Sequence, residues 1–424
     1  MYLNLTDELK GDTQALAARD LIQDCVHCGM CLGACPTYGI VGDELDSPRG
    51  RIYQIKNLLE GNADLASVQY HLDRCLTCRA CETACPSGVK YGHLVEWGRS
   101  FLAKKHRRGL GTQLKITGFR RVVTQSVLFD ALWKVGSAVS TILPKATADK
   151  LKRPTFESLH TPIPVVKPLG LTVILHQGCV QKSMSPNVNH ATVRLLQAWG
   201  VTVLQVTDGC CGAIAAHTDD AAGAKQMAVH NLSTWAPLLK NHSGALIVSN
   251  ASGCGLQLKE YGHAFQTDET YARLAADISA AVRDVSEVLA HILLTYPDLK
   301  SALRLKVEGL PIEARRVAYH EPCTLQHGQK LKGRMAGLLS DVGVLLAPSV
   351  NTHLCCGSAG AYSVMQPELS QQLLHNKIQD LKLDKADRVL SGNIGCICHL
   401  ASATEKPVSH WIEWLEMVWS TASN

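Results

Sequence analysis

Aromatic residues are scarce in this 424-residue chain, at 5%, which argues against a nucleic-acid surface built on base stacking. Long apolar runs are missing too, the longest stopping well short of the ~18 residues that cross a bilayer. The opening MYLNLTDELKGD has neither a basic n-region nor an apolar core, so no secretory signal is expected. No dinucleotide fingerprint and no Ser-His-Asp constellation is present. With 46% hydrophobic residues, the chain reads as globular, and its length as two or three domains.

Cysteine is what the chain has in quantity. There are seventeen, an odd count in a chain long enough to bury a core without covalent staples, so a disulfide framework is a poor reading. Free thiols in such number make the reducing cytosol the expected home. Eight of them form two matching runs, Cys25-Val-His-Cys28-Gly-Met-Cys31-Leu-Gly-Ala-Cys35-Pro36 and Cys75-Leu-Thr-Cys78-Arg-Ala-Cys81-Glu-Thr-Ala-Cys85-Pro86. This C-x2-C-x2-C-x3-C-P spacing wraps three thiolates round one face of a [4Fe–4S] cube. Structural zinc closes on paired knuckles and rarely uses three close cysteines followed by Cys-Pro. In two-cluster ferredoxins the fourth cysteine of each run crosses over. That assigns Cys25, Cys28, Cys31 and Cys85 to one cluster and Cys75, Cys78, Cys81 and Cys35 to the other.

The runs lie 39 residues apart, so the domain is expected to be a helical ferredoxin, with helices over 7–24, 52–59, 64–73 and 89–105. An amphipathic helix is expected over about Phe119 to Leu143, packed on the ferredoxin core rather than lying on a membrane. Residues 101–153 hold twelve Lys or Arg against Asp130 and Asp149. Such a block suggests an acidic partner or an anionic membrane surface, the alternative being a solvated linker face. Pro154, Pro162, Pro164 and Pro168 then mark a boundary.

The second half repeats itself. Val173-Ile-Leu-His176-Gln-Gly-Cys179 is answered by Val317-Ala-Tyr-His320-Glu-Pro-Cys323, and Asp208-Gly-Cys210-Cys211-Gly212 by His353-Leu-Cys355-Cys356-Gly357. Cys254 is answered by Cys396. Nearly constant offsets identify a duplicated unit. Short β-rich runs alternating with helical stretches imply parallel sheets, with the cysteines just after the strands, at the edge where open α/β sheets bind ligands. Cys179, Cys210, Cys211 and Cys254 thus form one candidate cluster or thiol site; Cys323, Cys355, Cys356 and Cys396 form another, with Cys398 nearby. His176 and His320 read as core or hydrogen-bonding histidines, since thiolates already fill the site. The fold class is α+β multidomain: a helical two-cluster ferredoxin domain (1–105), a basic helical linker (106–168), and two tandem α/β cysteine-rich repeats (169–310 and 311–424).

These motifs together resemble the family of bacterial glycolate oxidase (glycolate dehydrogenase) iron–sulfur subunits. The likeness runs through Gly42-Asp-Glu-Leu-Asp-Ser-Pro-Arg-Gly-Arg51, His71-Leu-Asp-Arg-Cys75, Cys323-Thr-Leu-Gln-His327, Leu354-Cys-Cys-Gly-Ser-Ala-Gly360, Asn393-Ile-Gly-Cys396 and His410-Trp-Ile-Glu413. The resemblance implies an electron-transfer subunit with two [4Fe–4S] clusters. FAD and 2-hydroxy-acid oxidation would lie on partner subunits. A membrane quinone would be the acceptor, and the chain would sit peripherally on the cytoplasmic face of the membrane, with no role for nucleic acid. Arg79, inside the second run, is expected to raise the potential of the Cys75 cluster. In heterodisulfide reductase relatives each double-cysteine repeat carries a further C-x-x-C. Here Gly255, Leu256 and Gln257 follow Cys254, and Cys396-Ile-Cys398 is C-x-C. The repeats could therefore hold clusters, hold none, or act as reactive thiols. The alternatives are a thiol–disulfide enzyme, a lactate-utilisation subunit, and a zinc-stabilised scaffold or nucleic-acid binder.

Overall fold

The computed structural model describes residues 1–138 and 167–421. Two compact units form, one from Met1–Arg120, Ile214–Ala221 and His353–Lys377, the other from Arg121–Ala213, Ala222–Thr352 and Ile378–Asn424.

The first unit is helical. Its main elements are α1 (Thr13–Gln23), α2 (Pro48–Leu59), α3 (Leu65–Asp73) and α4 (Tyr91–Lys105). Each starts where a local signal dictates. Asp12 caps α1, so the continuous helix expected over 7–24 is instead a single tight turn at Asp7–Leu9 followed by α1. Ser47 accepts from Gly50 N–H and Pro48 takes the first helical position, which starts α2 four residues earlier than the hydrophobic spacing suggests. Asp64 caps α3. The four helices enclose a core that includes Ala15, Ile22, Ile55, Leu59, Leu72 and Leu94, and their ends deliver the cysteine runs.

The helix expected over Phe119 to Leu143 is two helices, α5 (Leu110–Thr124) and α6 (Ser126–Ala138). Residues 139–143, with Pro154, Pro162 and Pro164, lie outside the described residues. Helix α6 belongs to the second unit, where it packs beside the short helix Gln181–Met184. Trp133 is buried there, while Val127, Leu132 and Val135 stay exposed.

The second unit is built on two parallel four-stranded sheets. The first comprises β1 (Thr172–His176), β2 (Thr202–Gln205), β3 (Leu246–Ser249) and β4 (Val282–Asp284), in the order β2-β1-β3-β4. In the second, β5 (Arg316–His320), β6 (Leu345–Leu346), β7 (Arg388–Ser391) and β8 (Val408–His410) repeat that order as β6-β5-β7-β8. Matching registers, Val173↔Leu246 and Val317↔Arg388, show the duplication at the level of hydrogen bonds. Helices α7 (Pro186–Ala198) and α8 (Ala221–Asn241) cross between strands of the first sheet, and α9 (Ser252–Lys259) leaves the end of β3. One core serves both sheets, joining Val173, Trp199, Leu289, Val317, Leu339 and Trp414. The final helix, α10 (Trp411–Ser420), packs on α7, with Trp419 edge-on to Trp199 at 5.6 Å.

Candidate iron–sulfur and thiol sites

The two ferredoxin runs fold as matching loops. His27 and Thr77, third in their runs, take φ of 57° and 53°; Gly29 and Arg79, fifth, take 79° and 60°. These left-handed residues turn successive backbone N–H groups toward a common centre, a geometry that favours anionic sulfur. Thr77 N–H already donates to Cys75 Sγ at 3.4 Å. Two recesses result. Cys25, Cys28, Cys31 and Cys85 line one; Cys35, Cys75, Cys78 and Cys81 line the other, while Cys81 also borders the first. Three sulfurs from one run and the last from the other meet in each recess, a donor set suited to a [4Fe–4S] cube.

The second recess is ringed by buried cations. Arg51, 1% exposed, pairs with Asp46 at 3.0 Å and donates to His71 O at 2.8 Å and Thr37 Oγ1 at 3.2 Å. Its guanidinium lies 4.0 Å from Cys35 Sγ. Arg99 donates to Cys75 O and Leu72 O, both at 2.7 Å. Arg79 sits 4.0 Å from Glu82 and 3.9 Å from Glu96. Burial pushes the Cys75 thiol up, but Arg51, Arg99 and the Thr77 N–H outweigh it, and its pKa ends below the ordinary thiol value. Burial raises Cys81 well above that value, and Cys31 to about 11.

In the first repeat, the loops after β1, β2 and β3 bring Cys179, Cys210, Cys211 and Cys254 together. This is the crevice where the strand order changes direction. Cys179 donates to Cys210 Sγ at 3.2 Å. Hydrogen bonds from Cys179 and Cys211 hold Cys210 well below the usual thiol value, and those same bonds push the two donors up. Cys254, third residue of α9, falls to about 6 through a hydrogen bond from Cys211 and through His176, against the cost of burial. His176 Nδ1 lies 2.6 Å from Asp208 Oδ2. Burial lowers its pKa, yet Asp208 and Cys254 carry it to about 10. Four sulfurs and one imidazole share their protons here.

The cysteines of the second repeat are divided between the two units. Cys355 and Cys356 are buried in the unit that holds the ferredoxin helices, where Gly357 N–H donates to Cys355 Sγ at 3.4 Å. Cys323 and Cys396 belong to the sheet-bearing unit. There Asn393 donates to Cys396 Sγ at 3.5 Å, and His320 Nδ1 meets Ser391 Oγ at 2.9 Å. Cys398 is two residues beyond Cys396 on the helix Ile394–Ala401, so the two thiols point to different faces. Burial alone pushes Cys398 up to about 12. The C-x-C is not a chelating pair.

Sequence reasoning missed Arg51, Arg99 and Asp46 beside the second recess and Asp208 beside His176. A charged residue ending an apolar strand, as His176 ends Val-Ile-Leu, was the available signal.

Residues 21–89 match the model of a 4Fe-4S dicluster domain, and residues 173–259 and 317–401 that of a cysteine-rich domain. The chain is similar to the glycolate oxidase iron-sulfur subunit of Escherichia coli K12, at 40% identity over 98% of both chains. The probable glycolate oxidase iron-sulfur subunit of Bacillus subtilis is 28% identical over 90% of this chain and 89% of its own. Lactate utilization protein A of Anoxybacillus flavithermus is 25% identical over 56% of this chain and 93% of its own.

Proposed function

Because this chain belongs to the family of glycolate oxidase iron–sulfur subunits, we propose that it accepts electrons from an FAD-bearing partner that oxidises glycolate and delivers them to a membrane quinone. When bound, the two [4Fe–4S] clusters supply one-electron steps with little rearrangement. The chain's own part is to hold them and set their potentials. One observation carries the reading: two adjoining recesses, each lined by three cysteines of one run and the last of the other. The ligand sets proposed are Cys25, Cys28, Cys31 and Cys85, and Cys35, Cys75, Cys78 and Cys81. Arg51, Arg79 and Arg99 make the second recess the more electron-attracting, so it is the later station. We also assign an iron–sulfur centre to Cys179, Cys210, Cys211 and Cys254. Among the described residues no helix is long and apolar enough to cross a membrane, so contact with quinone would be made from the membrane surface.

The test is metal content and reducibility of the complex purified anaerobically with its flavin subunits. Eight or more irons per chain with matching acid-labile sulfide are expected, and glycolate should bleach the cluster absorbance. Lactate reducing the clusters while glycolate does not would favour the lactate-utilisation reading. Zinc in place of iron would sink electron transfer.

A further inference from the structure

In the first cysteine-rich repeat the sulfurs do not account for every buried donor. His176 is 1% exposed and ends β1 three residues before Cys179. Its Nδ1 is 2.6 Å from Asp208 Oδ2. A carboxylate can only accept, so Nδ1 carries the proton of that bond. Asp208 is itself buried and is the residue two before Cys210, with Lys182 Nζ 4.0 Å from its second oxygen. The far ring nitrogen, Nε2, is buried with no nitrogen or oxygen partner among the described residues and is turned to the Cys254 sulfur. Trp235 meets the ring edge-on at 5.7 Å and fixes its plane.

A buried imidazole that gives Nδ1–H to a carboxylate and turns Nε2 to a cysteine sulfur among three further thiols has the outer-shell pattern of a metal-ligating histidine. The core histidine His410 instead spends both nitrogens on the backbone, at Asn250 O and Ile412 N–H. The repeat offers four thiols from three loops, and His176 is a buried imidazole turned toward them. In the second repeat the equivalent His320 meets a hydroxyl, Ser391 Oγ, instead of a carboxylate, so the argument is confined to the first.

We propose that Nε2 of His176 is a ligand of the iron–sulfur centre assigned to Cys179, Cys210, Cys211 and Cys254, with Asp208 as its positioning residue. The inference rests on the assignment of that centre. A neutral imidazole added to the four thiolates brings a ligand without bringing charge, so this centre would differ in potential from an all-cysteine one.

The experiment is pulsed electron paramagnetic resonance on the full complex grown with ¹⁵N-histidine, alongside iron and zinc analysis. Iron above about eight atoms per chain, with a paramagnetic centre strongly coupled to a histidine ¹⁵N, is the expected result. In His176→Cys the iron should stay and the coupling vanish. In Asp208→Asn the coupling should persist with a shifted value, a change that loss of packing alone would not give. The unchanged spectra of the ferredoxin clusters serve as the folding control. A third centre without histidine coupling in the wild type overturns the ligand and leaves the centre standing. About eight irons, or zinc in place of the extra iron, overturns both.

Discussion

Arg79 occupies the left-handed position that Gly29 fills in the other ferredoxin run. For a residue with a Cβ that conformation is costly, on the order of 1 kcal/mol or more, and nothing in the loop's geometry requires a side chain there. The charge supplies the reason, since Arg79 lines the second recess. Arg79→Gly removes the charge without disturbing the turn. We expect the midpoint potential of the Cys75 cluster to fall by on the order of 40 mV, about 1 kcal/mol for one electron. Glu82 and Glu96 already offset part of the field. Redox titration followed by electron paramagnetic resonance would read the shift, and unmoved potentials would sink the idea. Arg51 is different, because it is locked to a fully buried Asp46. Arg51→Leu would leave that carboxylate to Arg74 alone, 2.8 Å away, and would strand His71 O and Thr37 Oγ1, at a cost of about 3 kcal/mol. Loss of the cluster that Cys35 helps to hold, or a sharply lowered denaturation midpoint, is the expected outcome. A variant as stable as wild type would show that Arg74 alone is enough to neutralise Asp46.

At the scale of elements, the ends of helices and strands carry information that hydrophobic spacing does not. Helix existence in the ferredoxin region was legible from apolar periodicity, and so were the strands before each cysteine. The starts of α1 and α2 were not, because Asp12 and Ser47 act through side-chain bonds to the backbone rather than through hydrophobicity, whereas α3 begins at Asp64 as expected. The fourth strands were missed for a similar reason: β4 and β8 have three residues each, too short to show a period. Both end in a capping box, Asp284 with Glu287 and His410 with Glu413. The second box predicts a pH response. Burial lowers His410 to about 3, and Nδ1 accepts Ile412 N–H, so the folded cap requires a neutral ring. Below about 6.5 the unfolded chain takes a proton that the folded chain refuses, so stability falls as pH drops. Burial raises Glu413 to about 7. Between that value and its ordinary one, near 4.5, the folded chain takes the proton, so stability rises as pH drops. From pH 7 to pH 5 each term amounts to about 2 kcal/mol with opposite sign. His410→Asn keeps a capping oxygen and should gain about 2 kcal/mol relative to wild type over that interval, whereas Glu413→Gln should lose as much. Denaturant unfolding under anaerobic conditions, followed by tryptophan fluorescence, would measure both. Parallel pH profiles for all three proteins would show that this cap does not titrate as argued.

Taken as a whole molecule, the chain shows in its sequence what it repeats but not what it exposes. Constant offsets between cysteine motifs announced two equivalent sheets, because ligand spacing tolerates little drift. Exposure depends on tertiary neighbours, which is why the amphipathic pattern after Phe119 read as a packed helix. In α6, Val127 is 84% exposed, Val135 62% and Leu132 48%. Positions i, i+5 and i+8 fall on one side of a helix, so these side chains form an apolar strip facing solvent. Basic residues outnumber acidic ones twelve to two across 101–153. An apolar strip within a basic segment suits an anionic lipid surface, the strip entering the headgroup layer and the cations meeting phosphates. The proposed delivery of electrons to a membrane quinone would give such contact a purpose. We therefore expect the intact complex to sediment with vesicles containing phosphatidylglycerol, and much less with pure phosphatidylcholine. Binding should weaken several-fold as salt rises from about 0.05 to 0.5 M, where the screening length shrinks to a few ångströms. Val127→Asp with Val135→Asp should reduce vesicle binding several-fold while cluster reduction by glycolate in solution stays unchanged. If the double variant binds vesicles as wild type does but no longer retains the flavin subunits, the strip is a subunit interface, and the membrane contact lies elsewhere.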